Sequence, residues 1–195
     1  MAKGKIMRRR MIALFLILST IGLFAENYTV DRAHSKVGFN IKYIVVSSVT
    51  GQFTKFGGFF KYDEMRQTLK TLRWTAYTNS IDTKNGKRDK HLKSVDFFNA
   101  AKYPKMTFVL HKADATAAYG KLTFHGVTKN IKMALRITHS SEEKSGEKAH
   151  TKILLSGSIN RRDFGLKWNK KIGLCDIMIG NRVKINAELK GITAP

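Results

Sequence analysis

The sequence has few means of cross-linking or anchoring itself. Its one cysteine, Cys175, leaves no partner for an intramolecular disulfide, so stability must come from packing even in a compartment that permits bridges. With no patterned histidine beside it, Cys175 reads as a small hydrophobe rather than a nucleophile. Acidic residues are scarce, 14 against 36 Lys and Arg, which gives a formal net charge of +22. A field of that sign favours anionic partners. Beyond the first 25 residues no apolar run approaches the roughly 20 residues that a membrane-spanning helix needs.

Signatures of catalysis and of metal binding are missing as well. Neither a G-x-S-x-G elbow nor a phosphate-cradling loop occurs, and Gly57-Gly58 sits inside a strand pattern, where it reads as a bend or a close backbone approach. The histidines, His34, His91, His111, His125, His139 and His150, are scattered with none of the spacings of a zinc site. Asp82, Asp89 and Asp96 stand among cations and turns. Capping and ion pairing explain them better than acid–base chemistry.

What is present begins with a leader. MAKGKIMRRR carries five cations and no acid, and the apolar stretch MIALFLILSTIGLF follows. This is the pattern of a secretory signal peptide over residues 1–25, with an h-region too short for a stable span and a small residue, Ala25, before the expected cut. A retained anchor is the alternative. Removal of the leader's five cations leaves 31 basic residues against 14 acidic ones, a net charge of +17, and a domain of residues 26–195 long enough to bury a core without staples. Export to the periplasm or the outside argues against nucleic acid as the partner. An anionic membrane surface remains open as a peripheral contact, as does a homodimer.

The dominant period along that domain is two. Val37, Phe39, Ile41 and Tyr43 alternate with polar neighbours, and so do Phe56, Gly58, Phe60 and Tyr62, then Leu72, Trp74 and Ala76. Phe53 has the wrong parity for the second set and predicts a bulge before Phe56. Met106, Phe108 and Leu110 follow the Pro104 turn; next come Leu122 and Phe124, then Ile131, Met133, Leu135 and Ile137. Ile153, Leu155 and Ile159 precede a last strand with Val183, Ile185, Ala187 and Leu189 inward. Residues 140–148, SSEEKSGEK, read as a solvated hairpin tip. The one break in the alternation is a helical insert near residues 85–99, with Asp89 and Lys93 one turn apart. About eight half-buried antiparallel strands predict an all-β, eight-stranded barrel closed on itself, because closure removes exposed edges.

The residues that carry a family likeness are Val30-Asp31 with His34-Ser35, Gly51-x-Phe53-x-x-Phe56, and SIDTKNGKRDKHLKSVDFF over residues 80–98. To these are added Lys102-Tyr103-Pro104, Gly120-x-Leu122-Thr123 with His125-Gly126-Val127-Thr128-Lys129, and Asn160-Arg161-Arg162-Asp163-Phe164-Gly165-Leu166. In these the chain resembles the YceI family, exported lipid-binding proteins with a lipocalin-like barrel, over essentially all of residues 26–195. The resemblance implies an elongated apolar cavity that binds a polyisoprenoid, an isoprenoid quinone or its precursor, or a fatty acid or amide. It implies no known chemistry and no cofactor beyond such a lipid-like ligand. On that picture Val37, Phe39, Ile41, Phe60, Trp74, Phe108, Leu122, Phe124, Met133 and Leu135 line the tube, with Phe97 and Phe98 at its wall or mouth. His34, Arg88, His91 and Arg162 are then the candidates for touching a polar head. The strongly basic stretch with Lys84, Lys87, Arg88, Lys90 and Lys93 departs from the pattern and bears on the identity of that head. Two other readings stay open: an enzyme acting on an amphiphile through His34, Asp89 and His91, and a solid-cored basic barrel docking an anionic partner or membrane.

Overall fold

The period-two segments form strands in the computed structural model, which describes residues 26–43, 47–140, 150–172 and 176–193. The leader over residues 1–25, most of the SSEEKSGEK segment and Cys175 lie outside the described residues. Strands β1 (Glu26–Val30) and β2 (Lys36–Tyr43) flank a single 3-10 turn at Arg32–His34; β3 (Ser47–Phe53), β4 (Phe56–Asp63), β5 (Thr68–Tyr77) and β6 (Ile81–Asp82) follow. Helix α1 (Gly86–Lys93) precedes β7 (Lys105–Ala113), β8 (Ala117–Phe124), β9 (Val127–Ser140) and β10 (His150–Asn160). A short hairpin of β11 (Lys171–Ile172) and β12 (Asp176–Ile177) leads to the long β13 (Ile179–Thr193).

Every pairing is antiparallel, and the order β1-β4-β5-β7-β8-β9-β10-β13 returns from β13 to β1, so eight strands close into a barrel. Three of the eight staves are broken into two pieces. β1 and β2 lie end to end along β13, pairing with Gly191–Thr193 and with the stretch from Ile179 to Glu188. At their junction the Asp31 amide donates to the Lys190 carbonyl at 2.8 Å, and the Lys190 amide donates to the Ser35 hydroxyl at 2.8 Å. A side-chain oxygen thus replaces the missing ladder acceptor. β3 runs into β4 and β5 into β6, and both are interrupted at the same level. Phe53 and Phe56 are both buried, with exposed Thr54 and Lys55 between them. Thr54 donates to the Ser80 carbonyl at 3.0 Å across the kink. The parity break at Phe53 is therefore a bend in the wall.

The expected insert is helical over Gly86–Lys93 alone. Past Lys93 the amides of Phe98 and Ala100 fold back onto the carbonyls of Leu92 and Lys93, both at 3.0 Å, and Asn99 takes a left-handed φ of 44°. These turns satisfy the helix's last acceptors and drive Phe97 and Phe98 into the barrel. The Asp89 carboxylate accepts from Thr83, and no ion pair joins it to Lys93 among the described residues.

Inward side chains fill one half of the barrel. Phe60, Leu72, Trp74, Phe108, Leu122, Met133, Ile153, Leu155 and Leu189 are essentially inaccessible. Trp74 stacks on Phe108 and Tyr28 on Phe60, with ring centroids 6.1 and 4.9 Å apart. Glycine permits the closest approaches: a Cβ on Gly58 would strike the Arg73 carbonyl, and one on Gly191 would overlap the Phe60 ring and lie 2.8 Å from Tyr28 Cβ. Gly191→Val, at the seam between β13 and β1, is expected to lower stability by about 1–3 kcal/mol in urea unfolding; unchanged stability would mean that the seam tolerates the added bulk.

Candidate functional site

At the other end, where β2, β8 and β10 finish and β3, β7 and β13 begin, the barrel is not filled. A cavity of about 430 Å³ lies there beneath α1. Its wall takes Phe39, Ile41 and Tyr43 from β2, Val49 and Phe53 from β3, Met106 from β7 and Phe124 from β8. Ile159 from β10, Ile179, Val183 and Ile185 from β13, and Leu166 and Trp168 from the connection between β10 and β13 complete the apolar surface. These are the inward-parity positions of each strand, carried to its end.

The roof is set by local chemistry. Asn85 caps α1 by accepting from the Arg88 amide at 3.0 Å. Buried Thr83 is clamped from both sides. Its amide donates to Asp89 at 3.0 Å and its hydroxyl donates to the same carboxylate, while Arg88 donates through Nε to the Thr83 hydroxyl and through Nη2 to its carbonyl, each at 2.8 Å. One turn before the helix, the Lys84 ammonium at 2.7 Å holds the Asp82 carboxyl below its ordinary range. The His91 ring meets Phe97 and Trp168 edge-on, at 5.0 and 4.7 Å, with its Nε2 3.2 Å from Asp96 Oδ2. Phe98 packs edge-on to Phe124 at 5.1 Å. The phenylalanine pair thus joins the roof to the wall.

Among the predicted apolar residues, Phe39, Ile41, Phe97, Phe98 and Phe124 line this cavity. Val37, Phe60, Trp74, Phe108, Leu122, Met133 and Leu135 are buried in the filled half instead. Of the predicted polar residues, Arg88 and His91 reach the cavity, together with Lys87. Arg162 is exposed and outside it, and His34 is exposed beside Asp31, with Nδ1 to Oδ2 at 2.6 Å. His34, Asp89 and His91 have separate partners, Asp31, Thr83 and Asp96, and no hydrogen bond links the three among the described residues.

The residue that sequence reasoning passed over is Arg161, neighbour of the chosen Arg162. It is 2% exposed and lines the cavity. Its Nε donates to the Gly180 carbonyl at 3.0 Å, and its Nη1 to the carbonyls of Leu166 and Trp168 at 2.7 and 2.8 Å. Burial, and then the adjacent Arg162 charge, pull its pKa below the ordinary arginine value. The signal for it was parity, since Ile153, Leu155 and Ile159 face inward and Arg161 is the next odd position.

Comparison with known proteins agrees with this architecture. The sequence model of the YceI-like domain matches residues 28–191. The UPF0312 protein SAS2572 of Staphylococcus aureus (strain MSSA476) is 34% identical over 163 residues, 83% of this chain and 94% of its own length. A solved YceI protein of Campylobacter jejuni is 33% identical with a TM-score of 0.65, covering 86% of this chain and 98% of that one. A polyisoprenoid binding domain from Saccharophagus degradans, 17% identical, shares the fold with a TM-score of 0.65 over 88% of this chain and 99% of its own.

Replacing Asp89 by Ala removes the carboxylate oxygen that accepts from both the amide and the hydroxyl of Thr83, and loosens the roof. The expected loss is about 1–2 kcal/mol in thermal unfolding. A variant as stable as the parent would show that the Thr83 clamp is dispensable.

Proposed function

The chain belongs to the YceI-like domain family, and on that premise we propose that it binds, stores or transports a long-chain amphiphile in the cavity beneath α1, without chemistry of its own. The ligand class is a polyisoprenoid, an isoprenoid quinone or precursor, or a fatty acid or amide. The observation that carries this reading is the apolar-walled space of about 430 Å³ in a barrel whose other half is solid. It falls within the roughly 300–1,000 Å³ of small-molecule sites. The solved Saccharophagus degradans domain, described as polyisoprenoid binding, adds support from a protein of the same fold. The leader-like first residues support a place of action in the periplasm or outside the cell.

Magnitudes favour the tail as the source of affinity. At roughly 30 Å³ for each methylene-sized group, the cavity holds on the order of a dozen. At about 0.8 kcal/mol each, their burial contributes on the order of 10 kcal/mol before the costs of ordering and association are deducted. A polar head contributes less net free energy, because desolvation offsets much of its pairing. Its service is orientation.

Val183→Trp places a large ring in the cavity from β13 without touching the filled half. Hexadecan-1-ol, a neutral long-chain probe, is expected to bind the parent protein and to bind this variant about tenfold or more weakly, with the fold intact by circular dichroism. At a hundredfold excess over Kd the alcohol should stabilise the parent by about 2.7 kcal/mol. Equal binding by parent and folded variant would place the chain elsewhere.

A further inference from the structure

The polar part of the cavity wall consists of basic side chains and the neutral Asn85. Lys87, Arg88, His91 and Arg161 line it, and no Asp or Glu does among the described residues. Three of these four are exposed or already engaged: Lys87 is exposed, Arg88 spends Nε and Nη2 on Thr83, and His91 faces Asp96. Arg161 differs. It is 2% exposed, no carboxylate pairs with it among the described residues, and its Nη2 has no hydrogen-bond partner. The carbonyls of Gly180, Leu166 and Trp168 orient its guanidinium but carry no net charge to oppose it. A buried cation held by neutral acceptors alone is costly, and an anionic acceptor beside it would offset that cost.

Resting on the carrier reading, we propose that the cavity selects amphiphiles whose head is an oxyanion, a carboxylate or a phosphate, and that Arg161 is the buried cation that receives it. An oxyanion accepts charge-assisted hydrogen bonds from a guanidinium, which are stronger than those of a neutral hydroxyl or amide. Arg161 follows directly on β10 at the α1 end, and Trp168, whose carbonyl it binds, packs on His91 and Phe97. The head therefore rests near the roof, and the tail runs along Ile159, Met106 and Ile185 toward the solid half.

The test compares heads on one tail. Delipidated full-length protein is loaded with the neutral fluorophore N-phenyl-1-naphthylamine, which is then displaced by hexadecanoate, hexadecyl phosphate or hexadecan-1-ol at about pH 8, where a carboxyl is fully ionised. One or both anions should bind the parent protein about tenfold or more tightly than the alcohol. Which of them does so separates a fatty acid from a lipid phosphate as the source. In Arg161→Gln the ratio of anion to alcohol affinity, read within that variant, should shrink to within about twofold, a loss of head selectivity that a purely structural role, weakening all three ligands alike, would not produce. Equal affinity for all three in the parent overturns the proposal but leaves the carrier reading standing; failure of all three to displace the fluorophore overturns the carrier reading itself. An advantage that survives in Arg161→Gln overturns the role of Arg161. Should that variant not fold, hexadecanoate carrying a ¹³C-labelled carboxyl is titrated on the parent. A midpoint below that of an aqueous carboxyl supports the proposal, and one at or above it overturns it.

Discussion

Closing eight antiparallel strands fixes how much space lies between them, and the inward side chains must then either occupy that space or leave part of it open. Both outcomes occur here in one barrel. Toward the β4–β5 and β7–β8 turns the inward positions carry Phe60, Leu72, Trp74, Phe108 and Leu122, rings and branched chains that interlock and exclude everything else. Toward α1 the barrel wall carries Ile41, Val49, Met106 and Val183, and these leave a cavity beneath the roof. The solid half supplies the stability that lets the other half remain unfilled, since each unfilled volume in a packed interior costs free energy.

The roof follows from the same constraint. A tube with an open end would expose its apolar wall to water, and the insert between β6 and β7 covers it with a short helix too polar to be buried itself. What enters the barrel is the turn after the helix, Phe97 and Phe98, held by backbone bonds to Leu92, Lys93 and Ser94. Thr83 anchors the other side of the helix through Asp89 and Arg88. The charged exterior and the apolar interior meet within one segment because the segment has two jobs, facing solvent with one side and closing an oily space with the other. On the proposed reading the tail supplies the affinity of such a site, and the basic wall around Arg161 is proposed to select the head.

Strand alternation made most of the barrel legible from the sequence. Period two says which side chains point inward, and it did so for Val37, Phe39, Trp74, Phe108 and Leu135 alike. It does not say how deep along the axis an inward residue lies, because depth depends on strand stagger and on where the chain bends. Phe39 and Val37 are two residues apart on β2, yet one lines the cavity and the other is sealed in the core. The broken staves were half visible: the parity slip at Phe53 marked one bend, but the Ser35 hydroxyl bridging β1 and β2 depends on Lys190, far along the chain. Charge misled in the choice between neighbours. Arg161 and Arg162 look equivalent in a basic sequence, and only continued alternation from Ile159 separates the buried one from the exposed one.

The carrier function proposed for this barrel requires an apolar chain in the space beneath α1. Native mass spectrometry of the purified protein, with the bound species released by denaturation and identified, tests it most directly. The expected spectrum shows a mass excess over the bare polypeptide that is lost on unfolding and resolves into a long-chain amphiphile. A bare polypeptide mass that stays unchanged after incubation with polyisoprenoid and fatty acyl amphiphiles would contradict it.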